Sequence, residues 1–318
     1  MKEPAAIRVG GWRVWLPDAG GAAEAAAWVG AAEQAVTGGP PLHRSKHAET
    51  YRWPSAAGDV YVKVYRRYRR RTYAKDLVRV SKARNALRLS RKLAASGFRV
   101  PRILAVGEER LGPWLRRSWV ATAALEGEPL ADHIAALHRR AEAEPAHARG
   151  ISLPHKRALL RAVGTEVAHL HAAGFVAGDL VPANVWTATA PDGIRIALLD
   201  HDRTRAGRAP APWWRARRNL VQLNRVVLPG VMITDRLRVY RAYASGRGWS
   251  WPAARRRLLW VVDKTIERRR RFDGVDLPRH VGVSFRELMR AGGPYAPGLA
   301  APSRVRQYGT RNRVRCDE

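Results

Sequence analysis

The dominant hydrophobic period passes from strand-like to helical near Glu126, and that change constrains the fold more than any single motif does. Between Thr50 and Tyr65, ETYRW, the turn signal PSAAGD and VYVKVY set Val60, Val62 and Val64 in alternation with Tyr61, Lys63 and Tyr65. A period of two belongs to strands, so a hairpin with a lysine in its second strand is expected here. A helix from about Ser81 to Ser96 follows, with Ala83, Ala86, Leu87, Leu89 and Leu93 as its apolar stripe and Gly97 as its stop. VPRILAVGEE and SWVATAAL then read as two more strands. After Glu126 the spacing becomes helical, as in PHKRALLRAVGTEVAHLHAAG, where Leu159, Leu160, Val163, Val167 and Leu170 share a face. The expectation is an α+β chain of two lobes, a small β-rich lobe over 42–125 and a larger, mainly helical lobe over 126–280. Residues 1–41, a strand-like start, an Ala-rich helix and the breaker TGGPP, read as an N-terminal extension whose Ala-rich part need not be essential. Residues 281–318 lose periodicity and read as a basic, loosely ordered tail.

Charge narrows the partners. The 58 Lys and Arg against 27 Asp and Glu leave a formal +31 over 318 residues, well beyond what solubility needs. Such an excess attracts phosphate-rich partners, whether nucleotides, nucleic acid or an anionic membrane surface. Cys316 is the single cysteine, so neither a disulfide framework nor a multi-cysteine metal site is available, which fits a reducing cytoplasm. No run approaches the roughly 18 apolar residues of a spanning helix, and the Ala-rich stretch from Gly20 to Ala35 is interrupted by Glu24 and Glu33. A protein that is soluble, or peripheral to a membrane, is expected.

Two stretches carry polar residues in a pattern with chemical meaning: GFVAGDLVPANV, Gly174 to Val185, and ALLDHDRTR, Ala197 to Arg205. Phosphoryl transfer needs a carboxylate at the attacking hydroxyl, oxygen ligands for Mg²⁺ and a cation on the nucleotide phosphates. Lys63, Asp179, Asn184 and Asp200 supply such groups in that chain order. ATAPDG is a turn signal between VWT and IRIALLD, so Val185 to Asp200 reads as a hairpin with Asn184 and Asp200 at its open end. Each residue taken singly has an ordinary reading: Asp179 and Asn184 as turn or capping residues, Asp200 as a cap, Lys63 as a solvated edge-strand lysine.

LHAAGFVAGDLVPANV with LLDHDRTR resembles the lipopolysaccharide kinase (Kdo/WaaP) family, whose members are related to protein kinases. VYVKVY is similar to that family's lysine-bearing strand, GFRVPRILAVGE to its segment after the helix, and RARRNLVQLNR to its basic N-L-x-x-L stretch, so the likeness covers roughly Tyr51 to Arg241. The resemblance implies a bilobal protein-kinase-like fold with ATP and Mg²⁺ in its cleft. It implies Asp179 as the base, Asn184 and Asp200 as Mg²⁺ ligands, and Lys63 on the α- and β-phosphates. HRSKHAET stands where a glycine-rich loop is usual, with Ser45 and Lys46 as phosphate contacts. The implied acceptor is a sugar hydroxyl on an anionic glycolipid, at the inner face of a bacterial inner membrane, with peripheral contact to that membrane.

The chain departs from the family pattern at Ala177, where a histidine is usual, and in the helix Ser81 to Ser96, which lacks a carboxylate to pair with Lys63 and offers only Asn85. These departures sustain a second reading, a pseudokinase that binds membrane or, less favoured, nucleic acid. Kinases of free sugars or aminoglycosides are a third. His169 and His171 point to different sides of their helix and make no metal pair, so His171 reads as buried and structural. Trp213 and Trp214 beside Arg215, Arg217 and Arg218 read as core residues or as contacts to lipid or base. The runs YRRYRRR and ERRRRFD read as solvated faces.

Overall fold

In a computed structural model of the chain, residues 4–18, 20–45, 47–55, 58–65, 80–144, 148–228 and 230–273 are described. They form two compact units, the first built from Met1–Glu126 with Leu198–Thr204 and the second from Gly127–Ala197 with the chain after Arg205. The tail expected over 281–318, with Cys316, lies outside the described residues, as do Arg66 to Arg71 of the first basic run.

The first unit is an antiparallel sheet with a helix on each face. Its elements are β1 (Ile7–Val9), β2 (Trp12–Trp15), α1 (Ala22–Thr37), β3 (His43–Arg44), β4 (Ala48–Ser55), β5 (Gly58–Tyr65), α2 (Lys82–Ala95), β6 (Ile103–Leu111) and β7 (Trp114–Ala123). The strand order is β1-β2-β6-β7-β5-β4-β3. Alternation along β5 decides what each face receives. Val60 and Val62 turn to one side, where with Trp12, Val14, Tyr51, Ala105, Trp119 and Ala121 they meet Ala25, Ala32 and Ala35 of α1. Tyr65 turns to the other, where Trp15, Ile103, Val106 and Val120 meet Ala83 and Leu87 of α2. The segment read as an extension therefore adds two strands and the cover of one sheet face. Without α1 that face would put a contiguous apolar surface into water.

The second unit contains β8 (Glu128–Pro129), α3 (Leu130–Ala143), α4 (Leu153–Ala172), β9 (Phe175–Val176), β10 (Val185–Ala190), β11 (Gly193–Leu198, its last residue already in the first unit), β12 (Arg205–Ala206), α5 (Trp213–Arg225), α6 (Ile233–Gly246) and α7 (Trp251–Asp273). β10 lies between β11 and β8, which makes the hairpin read from VWT and IRIALLD part of a three-stranded sheet. α4 is the central helix, and its Gly164 allows α6 to approach so closely that a Cβ there would stand 2.2 Å from the Val239 carbonyl. Asp235 fixes the start of α6. Its carboxylate accepts from the Met232 amide (3.1 Å) and pairs with the buried Lys156 (2.9 Å) and with Arg238 (2.7 Å). Leu130, Ile134, Leu160, Leu220, Leu237 and Val261 are among the residues that enclose an apolar cavity of about 90 Å³. Among the described residues, no helix is long and apolar enough to cross a membrane.

Candidate active site

In the first unit the strand pleat places Lys63, three residues after Val60 on β5, on the face that carries α2. Its ammonium lies 2.6 Å from Asp200 Oδ1. Asp200 follows β11 by two residues and has φ 59° and ψ 64°, the one non-glycine residue with positive φ among those described. Aspartate enters this left-handed region more readily than most residues, at a cost of about 1 kcal/mol, and keeps it only where its surroundings hold it there. Those surroundings are visible on both sides of the residue. The Leu198 amide donates to the Arg99 carbonyl (3.0 Å), His201 Nε2 donates to the Leu198 carbonyl (2.7 Å), and Asn85 Nδ2 of α2 donates to the Asp202 carbonyl (2.8 Å). Burial holds His201 neutral, its pKa lowered to about 4.

The two carboxyls of this loop differ in proton affinity. Burial raises that of Asp200, but the Lys63 charge and hydrogen bond, with a hydrogen bond from Asp202, outweigh it and hold Asp200 below the usual range. Asp202 is pushed up to about 6, first by burial and then by the Asp200 charge, with Lys63 and, 3.9 Å away, Lys82 opposing. The helix pairing that the sequence failed to supply is thus not replaced by Asn85, which ties α2 to the Asp202 backbone. Lys63 pairs with Asp200. The buried carboxylate of Glu108 accepts from the Ser81 amide at the start of α2 (3.3 Å) and from Arg110 (3.1 Å).

In the second unit, the loop after β9 carries Asp179 and is fixed by two amide side chains of α5. Asn219 Oδ1 accepts from the Ala177 amide (2.9 Å) while its Nδ2 donates to the Ala177 carbonyl (2.8 Å). Gln222 Oε1 accepts from the Leu180 amide (3.3 Å), and its Nε2 donates to the Gly178 carbonyl (3.2 Å) and to Asp179 Oδ1 (3.0 Å). The two amides also bond to each other, Asn219 Nδ2 to Gln222 Oε1 at 2.8 Å. Beneath them His171 is fully buried. Its Nε2 lies 3.1 Å from Asn219 Oδ1, which can only accept, so that nitrogen carries the proton and Nδ1 accepts from the Tyr243 hydroxyl (3.0 Å). Burial lowers His171 to about 4, against the Asn219 hydrogen bond. Asn184 Nδ2 donates to the Asp179 carbonyl (2.9 Å), so its amide nitrogen ties it to the same loop. The Asp179 side chain itself is exposed.

A lysine bound to a carboxylate on a strained loop, and an exposed carboxylate braced by side-chain amides, are the parts a phosphotransferase needs. A model of the lipopolysaccharide kinase (Kdo/WaaP) family matches residues 42–243. The chain belongs to that family. It is therefore a kinase, a phosphotransferase, and a member of a Kdo/WaaP family is expected to use ATP, generally with a divalent metal. The fold agrees: a solved structure described as WaaP in complex with acyl carrier protein is similar at a TM-score of 0.52 and 20% identity, over 72% of this chain and 88% of that one. No curated protein matches in sequence.

The remaining expected contacts of this Kdo/WaaP kinase fall in different places. Ser45 closes the turn between β3 and β4, its hydroxyl donating to the Ala48 carbonyl (3.0 Å) and accepting from the Ala48 amide (3.0 Å). Lys46 lies outside the described residues. Asp179, Asn184 and Asp200 offer hard oxygen donors, the chemistry that suits Mg²⁺. Among the described residues no group of three or more His, Cys, Asp or Glu side chains gathers as a metal site. Asn219 and Gln222 were not singled out in the sequence, although two amide residues three apart in NLVQ share one helix face.

Proposed function

We propose that this kinase transfers the terminal phosphoryl group of ATP to a sugar hydroxyl of a lipopolysaccharide-type glycolipid core. Asp179 accepts the proton of the acceptor hydroxyl as its oxygen bonds to the γ-phosphorus. The bond from that phosphorus to the bridging oxygen breaks, and ADP leaves with the electron pair. Lys63 exchanges part of its contact with Asp200 for the α- and β-phosphates, and Asn184 and Asp200 are the ligands for Mg²⁺. When bound, that ion neutralises charge on the phosphates. The observation that carries the reading is the bracing of one exposed carboxylate, Asp179, by side-chain amides from α5. A residue serving only as a turn former needs no such support.

The test is to incubate the protein with Mg²⁺-ATP and, separately, lipid A core, free sugars and RNA, and to look by mass for a gained phosphate. Phosphate on the glycolipid, lost in Asp179→Ala, supports the reading. A protein that is stabilised by ATP and modifies none of these is a pseudokinase. The formal +31 supports peripheral contact with an anionic inner membrane face, each clustered cation contributing about 1 kcal/mol. A carrier-protein partner like that of the structural neighbour is also proposed. Pull-down with a purified carrier protein checks it.

A further inference from the structure

Three polar atoms from three elements of the helical unit come together. His133 of α3 and His155 of α4, 22 residues apart in the chain, have their Nε2 atoms 3.3 Å from each other, with ring centroids 5.3 Å apart and ring planes inclined by 36°. Thr189 of β10 brings its hydroxyl oxygen to 3.4 Å from the same His155 nitrogen.

The hydrogen bonds behind His133 fix its tautomer. The Thr187 hydroxyl has a single proton and donates it to the Glu128 carbonyl (3.3 Å), so it accepts from His133 Nδ1 (2.9 Å). Nδ1 therefore carries the ring proton, and Nε2 presents a lone pair toward His155. Burial lowers the His133 pKa, which keeps the ring neutral near pH 7. A histidine whose one ring N–H is tied to a fixed polar group, with the other nitrogen bare, is arranged as metal-ligating histidines are.

A hydrogen bond alone accounts less well for the other side. His155 Nε2 would have one proton to divide between His133 Nε2 and Thr189 Oγ1, and both separations exceed the roughly 3.0 Å at which N–H donors commonly settle. Two bonds of about 2.05 Å from a tetrahedral Zn²⁺ place their nitrogens about 3.3 Å apart, which is the spacing of the two rings. With an ion between them, His155 keeps its proton on Nδ1, so neither ring has to change its charge. His133 is buried, His155 half-buried and Thr189 exposed, so water reaches the open side.

We propose that His133, His155 and Thr189 bind a divalent transition ion of the zinc type, with water completing its shell, and that the ion clamps α3, the first turn of α4 and β10 together. Imidazole nitrogens suit Zn²⁺ rather than the hard Mg²⁺, so this site differs in chemistry from the oxygen donors Asp179, Asn184 and Asp200. It stands whether or not Asp179 is the catalytic base.

The test is to titrate the full chain with ZnCl₂ by calorimetry, in a buffer free of phosphate and chelators and with excess Mg²⁺ throughout. With two histidines where a closed zinc site has four ligands, one ion per chain should bind with a Kd of about 1–100 μM. His155→Gln should weaken binding by at least about tenfold, and Thr187→Val, which releases the His133 tautomer, by about tenfold. His138→Gln, which removes the neighbouring His138–Glu142 pair of α3, should leave the affinity unchanged. Co²⁺ bound by the wild type should show the intense visible absorption of a four-coordinate ion, a readout that stands should a variant not fold. Binding weaker than that range, binding unchanged in His155→Gln, binding lost in His138→Gln, or a Co²⁺ spectrum like that of the free aqua ion overturns the proposal and leaves the two rings as a hydrogen-bonded pair.

Discussion

Replacing Asn219 by leucine, close in volume and without polar atoms, isolates the bracing of the Asp179 loop. The substitution strips partners from the Ala177 amide, the Ala177 carbonyl and His171 Nε2, while Gln222 Oε1 keeps its bond to Leu180. An orphaned buried polar group costs about 1–3 kcal/mol. Asn219 and His171 are fully buried, but Ala177 is only half-buried and water can reach its backbone in part. The low end of the range for three groups gives about 3 kcal/mol, roughly a hundredfold in the folding equilibrium. Urea unfolding followed by tryptophan fluorescence reads the loss. The phosphate-transfer assay should show kcat falling about tenfold or more with little change in the KM for ATP, because the carboxylate is misplaced while nucleotide contacts remain. A stability loss below about 0.5 kcal/mol would show that the loop does not depend on this amide, and the bracing argument would fail.

Three further outcomes are expected. His171 and His201 are both held neutral with pKa values near 4 against an unfolded value near 6.5, so the unfolded chain binds more protons between those values. Stability should be fully present above pH 6.5 and fall as pH drops toward 4, by up to about 3 kcal/mol for each histidine, which urea midpoints at a series of pH values would trace. Lys63→Met should abolish the stabilisation by Mg²⁺-ATP in a thermal melt, and an undiminished shift would remove Lys63 from the nucleotide site. Gly164→Ala should destabilise the helical unit by about 2 kcal/mol or more, since its new Cβ would stand 2.2 Å from the rigid backbone of α6. Guanidinium unfolding followed by circular dichroism would register that loss.

The elements around the candidate residues were legible because they lie in local patterns. The alternation around Lys63, the turn before β11 and the stop at Gly97 each depend on a few neighbouring residues, and the strand and helix around them are where those residues place them. The pairing of Lys63 with Asp200, 137 positions away, was not legible, because no local period reports a contact of that separation. Nor was the role of Asn219. Its Asn-Leu pair looked like a family feature without a mechanism until the Ala177 backbone was seen to lie against it. An alanine at position 177 removes a side chain that could brace the loop, and the amides of α5 bond to the loop backbone at that position. The packing of the opening forty residues was not legible for a different reason. An alanine-rich helix has a weak hydrophobic pattern of its own, and its value emerges only against the valine and tryptophan face it covers.

The seven residues Leu198 to Thr204 belong to the β-rich unit although the chain enters and leaves them through the helical one. Neither unit is therefore a contiguous piece of polypeptide. A fragment ending at Glu126 would lose the carboxylate that faces Lys63, the carbonyl that Asn85 holds and the amide that caps Arg99. Ribosomal synthesis meets the same condition, because the first half of the protein cannot finish its own hydrogen bonding until the start of the second half has emerged.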